Sequence, residues 1–128
     1  MQLKTLIYIA IGGFIGTIVR YEVFSAIDSS PRQFPTDTFV VNIAGAFIVG
    51  TVATIILLLT KAPTLIRPMI LIGFCGALTT ESTMAVNFDR LISYNQLLTG
   101  SVFLVSMLIC GFMAIIIGNR LALLISGK

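Results

Sequence analysis

The residues of this chain that can do chemistry are few, and most fall in one short stretch, GFCGALTTESTM, Gly73 to Met84. Gly73, Gly76, Thr79, Thr80, Ser82 and Thr83 lie within about three helical turns, alongside Glu81. Glycines and hydroxyls at that density weaken helix propensity and offer the backbone competing hydrogen bonds, so a broken helix is expected there. The alternative is a continuous helix whose hydroxyls bond back to their own carbonyls. Inside a membrane, backbone freed from its ladder must be buried in protein, line a wet cavity, or coordinate an ion through its carbonyls. Glu81 is the only acid well inside an apolar run. It either keeps its proton and donates a hydrogen bond, or stays ionised beside a cation, for which Arg20 and a bound metal ion are the candidates.

Two further polar residues sit in apolar runs. Asn42 lies in TDTFVVNIAG with Thr38 four residues earlier, on the same helical face. Its amide, with two donors and an acceptor, can lock helices together or donate to a passing anion. Arg20 ends GTIVRY, where it either snorkels to the interface or attracts an anion. There is no His, and Cys75 and Cys110 both sit inside apolar runs as small hydrophobes, which removes most metal, redox and nucleophile chemistry. With no nucleotide motif, acid pair or nucleophile elbow, an enzyme is not expected.

The elements that must position these residues follow from composition. The chain has 128 residues, of which 57% are hydrophobic and 10% charged, so lipid is the natural solvent for its surface. The net charge of +3 does not point to nucleic acid, because the eight basic residues are scattered along the chain. A helix needs about 20 apolar residues to cross the hydrocarbon core. Four segments qualify, from about Leu3 to Ala26, Thr38 to Thr60, Met69 to Phe88, and Leu98 to Ile125. The first has a lysine and an apolar core like a signal peptide but no small-residue cleavage site, so it reads as a retained span. The polar, proline-bearing stretch from Asp28 to Asp37 connects the first two spans, KAPTLIRP the second and third, and DRLISYNQ the third and fourth. The expected fold is therefore an all-α membrane protein, with residues 1–128 forming one domain of four transmembrane helices, the third broken near the midplane. Small residues at helical spacing, Gly12 with Gly16 and Ala46 with Gly50, allow close backbone approach. Four short spans leave little interior, so an oligomer is the easier way to cover polar groups.

Taken together, the motifs resemble the small four-helix fluoride channels of the Fluc or CrcB family. GGFIGTIVRY is similar to that family's GGxxGxxxRY, TFVVNIAGAFIVG to its GTxxVNxxGxxxxG, and GFCGALTTESTM to its GxxGGxTTFSTF, while Gly118 stands near the end of the fourth span. The resemblance covers almost the whole chain. It implies an antiparallel dimer of the dual-topology type in the cell membrane, with two narrow pores that pass fluoride passively and relieve fluoride toxicity. It also implies a structural sodium ion at the dimer centre, held by the backbone carbonyls of Gly76 and Thr79 from both subunits. Carried over in the same way, Asn42 is a pore-lining donor, Thr38 lies on the same polar track, Arg20 stands near the vestibule, and Glu81, Ser82, Thr83 and Met84 line the anion path. Fluoride is small and strongly hydrated, so a narrow path must replace its lost water with donors such as Asn42 and the Thr and Ser hydroxyls.

The chain departs from the pattern where the family faces the anion. Glu81 and Met84 replace the two phenylalanines of TTFSTF, Asn87 stands where an acid usually follows, and Phe112 where a serine is common. Two assemblies stay open: a heterodimer with a more intact homologous subunit, and a homodimer whose pore has Glu81 protonated or turned aside. Two other classes remain as well. A small multidrug exporter of similar size needs a membrane-buried acid in its first span for proton coupling, whereas here only Glu22 follows Arg20 at the far end, leaving Glu81 to be recruited. A non-conducting partner subunit would bind sodium and a second chain without passing anions.

If the spans alternate, one side of the membrane receives Lys4, Lys61, Arg67, Arg120 and Lys128 and the other Arg32 and Arg90, which places both termini in the cytoplasm. Reporter fusions and cysteine accessibility are expected to show one dominant orientation; equal populations of both would refute the assignment.

Overall fold

A computed structural model describes residues 2–27, 29–58 and 64–127 of the chain. The described residues form helices and connections without a strand. Helix α1 spans Leu3–Ala26, α2 Thr36–Leu58, and the last helix, α6, Leu97–Ile125. Between α2 and α6 the third span is composite. A short α3 (Ile66–Pro68) leads into a π-helical segment (Met69–Phe74), then α4 (Cys75–Leu78), and after an interruption α5 (Glu81–Ser93). Four stretches are long and apolar enough to cross a membrane, Leu3–Ala26, Thr36–Ile56, Ile66–Ser93 and Leu97–Ile125. The expected starts and ends hold to within a few residues, except that the third span is longer than Met69 to Phe88. Thr60, the expected end of the second span, lies outside the described residues, as do Lys61 and Lys128 of the charge count.

Two helix pairs carry the bundle, α1 along the π segment and α4, and α2 along α6. The first pair depends on missing side chains. Gly12 and Gly16 are buried one turn apart on α1. A Cβ on Gly12 would collide with the Met69 carbonyl oxygen, and one on Gly16 with that of Phe74. From the other side, a Cβ on Gly73 would strike the Ile9 carbonyl. Helices in lipid gain little from burying apolar area against each other, so contact at backbone distance supplies the dispersion that holds them together. In the second pair, α6 buries a stripe at helical spacing, Gly100, Phe103, Met107, Ala114, Gly118 and Ala122.

The far end of the bundle is tied by aromatic and polar contacts. Phe34, in the α1–α2 connection, packs edge-on against Phe39 and Phe103, each with ring centroids 5.4 Å apart. The Arg32 guanidinium lies 5.1 Å from the Tyr94 ring centroid, linking this connection to the turn between α5 and α6. That turn is a Schellman motif. The Gln96 N–H donates to the Leu91 carbonyl at 2.8 Å and the Asn95 N–H to that of Ile92 at 2.9 Å, with Asn95 in the left-handed region at φ 57°. The outward faces are apolar, Leu98 and Leu124 being 79% and 76% exposed, as a lipid-facing surface requires.

The glycine contacts give a direct test by thermal unfolding in detergent. Gly12→Ala and Gly16→Ala each force backbone apart and are expected to cost about 1–3 kcal/mol. At Gly111, where an added Cβ meets nothing within 4 Å, the same change is expected to stay within about 0.5 kcal/mol.

Candidate ion site at the break in the third span

The expected break falls at Thr79 and Thr80. Thr79 is extended at φ −77° and ψ 153°, and Thr80 at φ −149° and ψ 111°, so two residues leave the helical region together. Each of the two threonines uses its hydroxyl differently. Thr79 Oγ1 donates back to the Cys75 carbonyl at 2.9 Å, which closes the end of α4. Thr80 is the N-cap of α5, its Oγ1 accepting the Thr83 N–H at 3.2 Å and donating to Thr83 Oγ1 at 2.8 Å. Ser82 Oγ lies 3.4 Å from Thr80 Oγ1. The alternative of an unbroken helix with every hydroxyl bonded to its own turn describes Thr51 and Thr54 in α2, but not Thr80.

Asn42 reaches the break from α2. Its Oδ1 accepts the Thr80 N–H at 2.7 Å and its Nδ2 donates to the Thr80 carbonyl at 3.3 Å, so one amide satisfies both polar groups of a single residue. In an unbroken helix the Thr80 N–H would have closed onto Gly76, and that of Thr83 onto Thr79. Both are diverted, and the Gly76 and Thr79 carbonyls lose their ladder donors. Gly76 is exposed, and the space where its Cβ would stand is open. Among the described residues no three His, Cys, Asp or Glu side chains come together, so the oxygens offered to a cation here are carbonyls, a donor set for a hard ion.

Asn42, Thr79, Thr80, Glu81, Met84 and Met107 line a groove of about 210 Å³. The structure thus brings Asn42, Glu81 and Met84 together, with Thr83 hydrogen-bonded to Thr80 beside them. Glu81 and Ser82 are exposed. Thr38 does not join the groove. It is fully buried nearer the N-terminal end of α2, where its Oγ1 accepts from Asn87 Nδ2 at 2.8 Å. Arg20, half-buried on α1, is not part of the groove lining either, which leaves Glu81 without that cation at the groove.

Two participants do not stand out as site residues in the sequence, and a third, Thr80, stands out only as part of the polar cluster. Thr80 has a usable signal, since a threonine followed by an acid and, three residues on, by another hydroxyl reads as a helix N-cap. Asn87 is visible only as a departure from the family pattern, and its pairing with Thr38 depends on how α5 meets α2. Met107 follows the i, i+4 and i, i+7 spacing of the α6 stripe, which marks burial but says nothing of the groove.

A family model described as CrcB-like protein, Camphor Resistance (CrcB), matches residues 7–119. A protein from Methanococcus aeolicus named fluoride-specific ion channel FluC is 46% identical over 94 residues, covering 73% of this chain and 75% of its own. Proteins of the same name from Geotalea daltonii and Chlorobaculum tepidum are 39% identical over 110 residues and 32% over 122. These alignments cover 84% and 95% of this chain, and 89% and 97% of the respective relatives. The matched region takes in the second and third apolar spans, most of the first and fourth, the glycine contacts of α1 and the break, and on this basis the chain belongs to the CrcB family.

Proposed function

We propose that this chain is a subunit of a fluoride channel that lets fluoride leave the cell passively, as an antiparallel dimer with a structural sodium at its centre. The observation that carries this reading is the Asn42 amide. Its nitrogen has two hydrogens, one bound to the Thr80 carbonyl, and the other is available to the groove that Asn42 lines. Together with the Thr83 hydroxyl it offers a small anion replacements for lost water. The relatives named as fluoride-specific channels support the choice of anion. Sodium, when bound, supplies a fixed positive charge beside the freed carbonyls; Gly76 and Thr79 would hold it. Both termini face the cytoplasm under this reading.

The dimer is supported by Glu81. A carboxyl group exposed at the depth of the break is poorly covered by lipid, and a second subunit over the groove covers it. A specific observation also favours a different homologous chain as that subunit. The groove presents Glu81 and Met84 where family members carry rings, and the charge bias fixes this chain in one orientation, which suits a partner fixed the opposite way.

Efflux from liposomes without a proton gradient tests the reading. Fluoride is expected to leave and chloride to be retained; a requirement for a proton gradient would favour the exporter class. Asn42→Asp keeps the acceptor for the Thr80 N–H but removes both amide hydrogens, and is expected to lower fluoride efflux on the order of 10–100-fold. In liposomes that hold this chain with a homologous partner, unchanged efflux on that substitution would support a non-conducting subunit. Strong efflux from the chain alone would remove the need for a different partner, whereas weak efflux that rises in Glu81→Phe/Met84→Phe would support it.

A further inference from the structure

The two carbonyls given to sodium in the proposed function are those whose helical donors are held by side-chain oxygens. The Thr80 N–H goes to Asn42 Oδ1 at 2.7 Å and the Thr83 N–H to Thr80 Oγ1 at 3.2 Å. Neither diversion leaves its own N–H unsatisfied, so these two donors cost the break nothing. Remove either acceptor, and the released N–H regains a partner if the helix closes and it meets the carbonyl it would have in an unbroken helix. Thr80 is 7% exposed, so water is a poor substitute for the partner of its N–H.

We infer that Asn42 and Thr80 are positioning residues for the cation site: the Asn42 amide keeps the Gly76 carbonyl free, the Thr80 hydroxyl keeps the Thr79 carbonyl free, and the site exists only while both hold. The inference rests on the sodium reading. It adds that two side chains outside the ligand set govern cation affinity. Asn42, which offers its remaining hydrogen to the anion groove, therefore ties the cation site to the anion route through one amide.

The test is the thermal midpoint of the purified chain in detergent as sodium replaces choline at constant ionic strength. A ligand that binds only the folded state raises the midpoint with concentration. Thr80→Val removes the hydroxyl at nearly constant shape and is expected to raise the half-saturating sodium concentration at least about tenfold, whereas Thr80→Ser keeps the oxygen and the wild-type dependence. Asn42→Ala is expected to match Thr80→Val, and Asn42→Asp, which still accepts the Thr80 N–H, to keep its sodium response while losing fluoride efflux. A merely structural role lowers the midpoint equally at every sodium concentration. Should Thr80→Val not fold, Asn42→Ala against Asn42→Asp carries the same comparison. Wild-type sodium dependence retained in Thr80→Val or Asn42→Ala overturns the inference alone. A wild-type midpoint that ignores sodium overturns the sodium reading and the inference with it.

Discussion

A peptide group released at mid-membrane depth has no water to turn to, and leaving it unpaired costs several kcal/mol. The break at Thr79 and Thr80 is supported by side chains that receive part of what it releases. Asn42 binds both the N–H and the carbonyl of Thr80, and the Thr80 hydroxyl binds the Thr83 N–H. The amide must therefore sit at the height of the break, which constrains the axial position of α2. Gly45, three residues further along α2, makes this approach possible. A Cβ there would collide with Thr79 Cγ2 and hold α2 away from the bond that Asn42 has to make.

The same constraint propagates to α1. Each hydrogen-bonded loop of the π-helical segment encloses one more residue than in an α-helix, the last bond running from the Cys75 N–H to the Ile70 carbonyl. It places Gly73 against the backbone of α1 at Ile9 and Gly13, while Gly12 and Gly16 receive the Met69 and Phe74 carbonyls. Backbone contact on this scale leaves no slack for sliding. The entry to the break is thus set from one side by α1 and its exit from the other by α2. α6 holds α2 in turn, since a Cβ on Gly118 would meet the Phe47 carbonyl, and one on Gly50 that of Ile115.

How far this was legible in the sequence depends on the range of the interaction. Hydropathy locates four spans because a 20-residue requirement is a local property. The break at Thr79 was legible for the same reason, since Gly76, Thr79 and Thr80 weaken a helix wherever it lies. What Thr38 and Asn42 do was not, because their faces agree in sequence while their partners come from different parts of the third span. Thr38 meets Asn87 on α5, and Asn42 meets Thr80 one residue before α5 begins. Four residues of α2 separate them, enough in an antiparallel pair to move from the groove to a buried contact. The π segment had no local signature either. MILIGF reads as ordinary apolar helix, and only its packing against glycines on α1 makes the wider turn favourable.

Glu81 is where the demands of the break and of an anion route conflict. It occupies the first turn of α5, where a carboxylate complements the positive end of the helix. For the helix this is favourable, and it supports a start that has only Thr80 as a cap. For an incoming anion it means that the positive end already faces an acid of the chain's own. The rest of the lining adds little, because the thioethers of Met84 and Met107 are weak acceptors and not donors. What remains for fluoride on this wall is the second hydrogen of Asn42, with the Thr83 hydroxyl behind it, whereas a small ion stripped of its water needs several donors at once. Under the fluoride reading the groove is therefore one side of a passage, and the presence of Glu81 shifts most of the anion binding onto the groups that another subunit brings to face it.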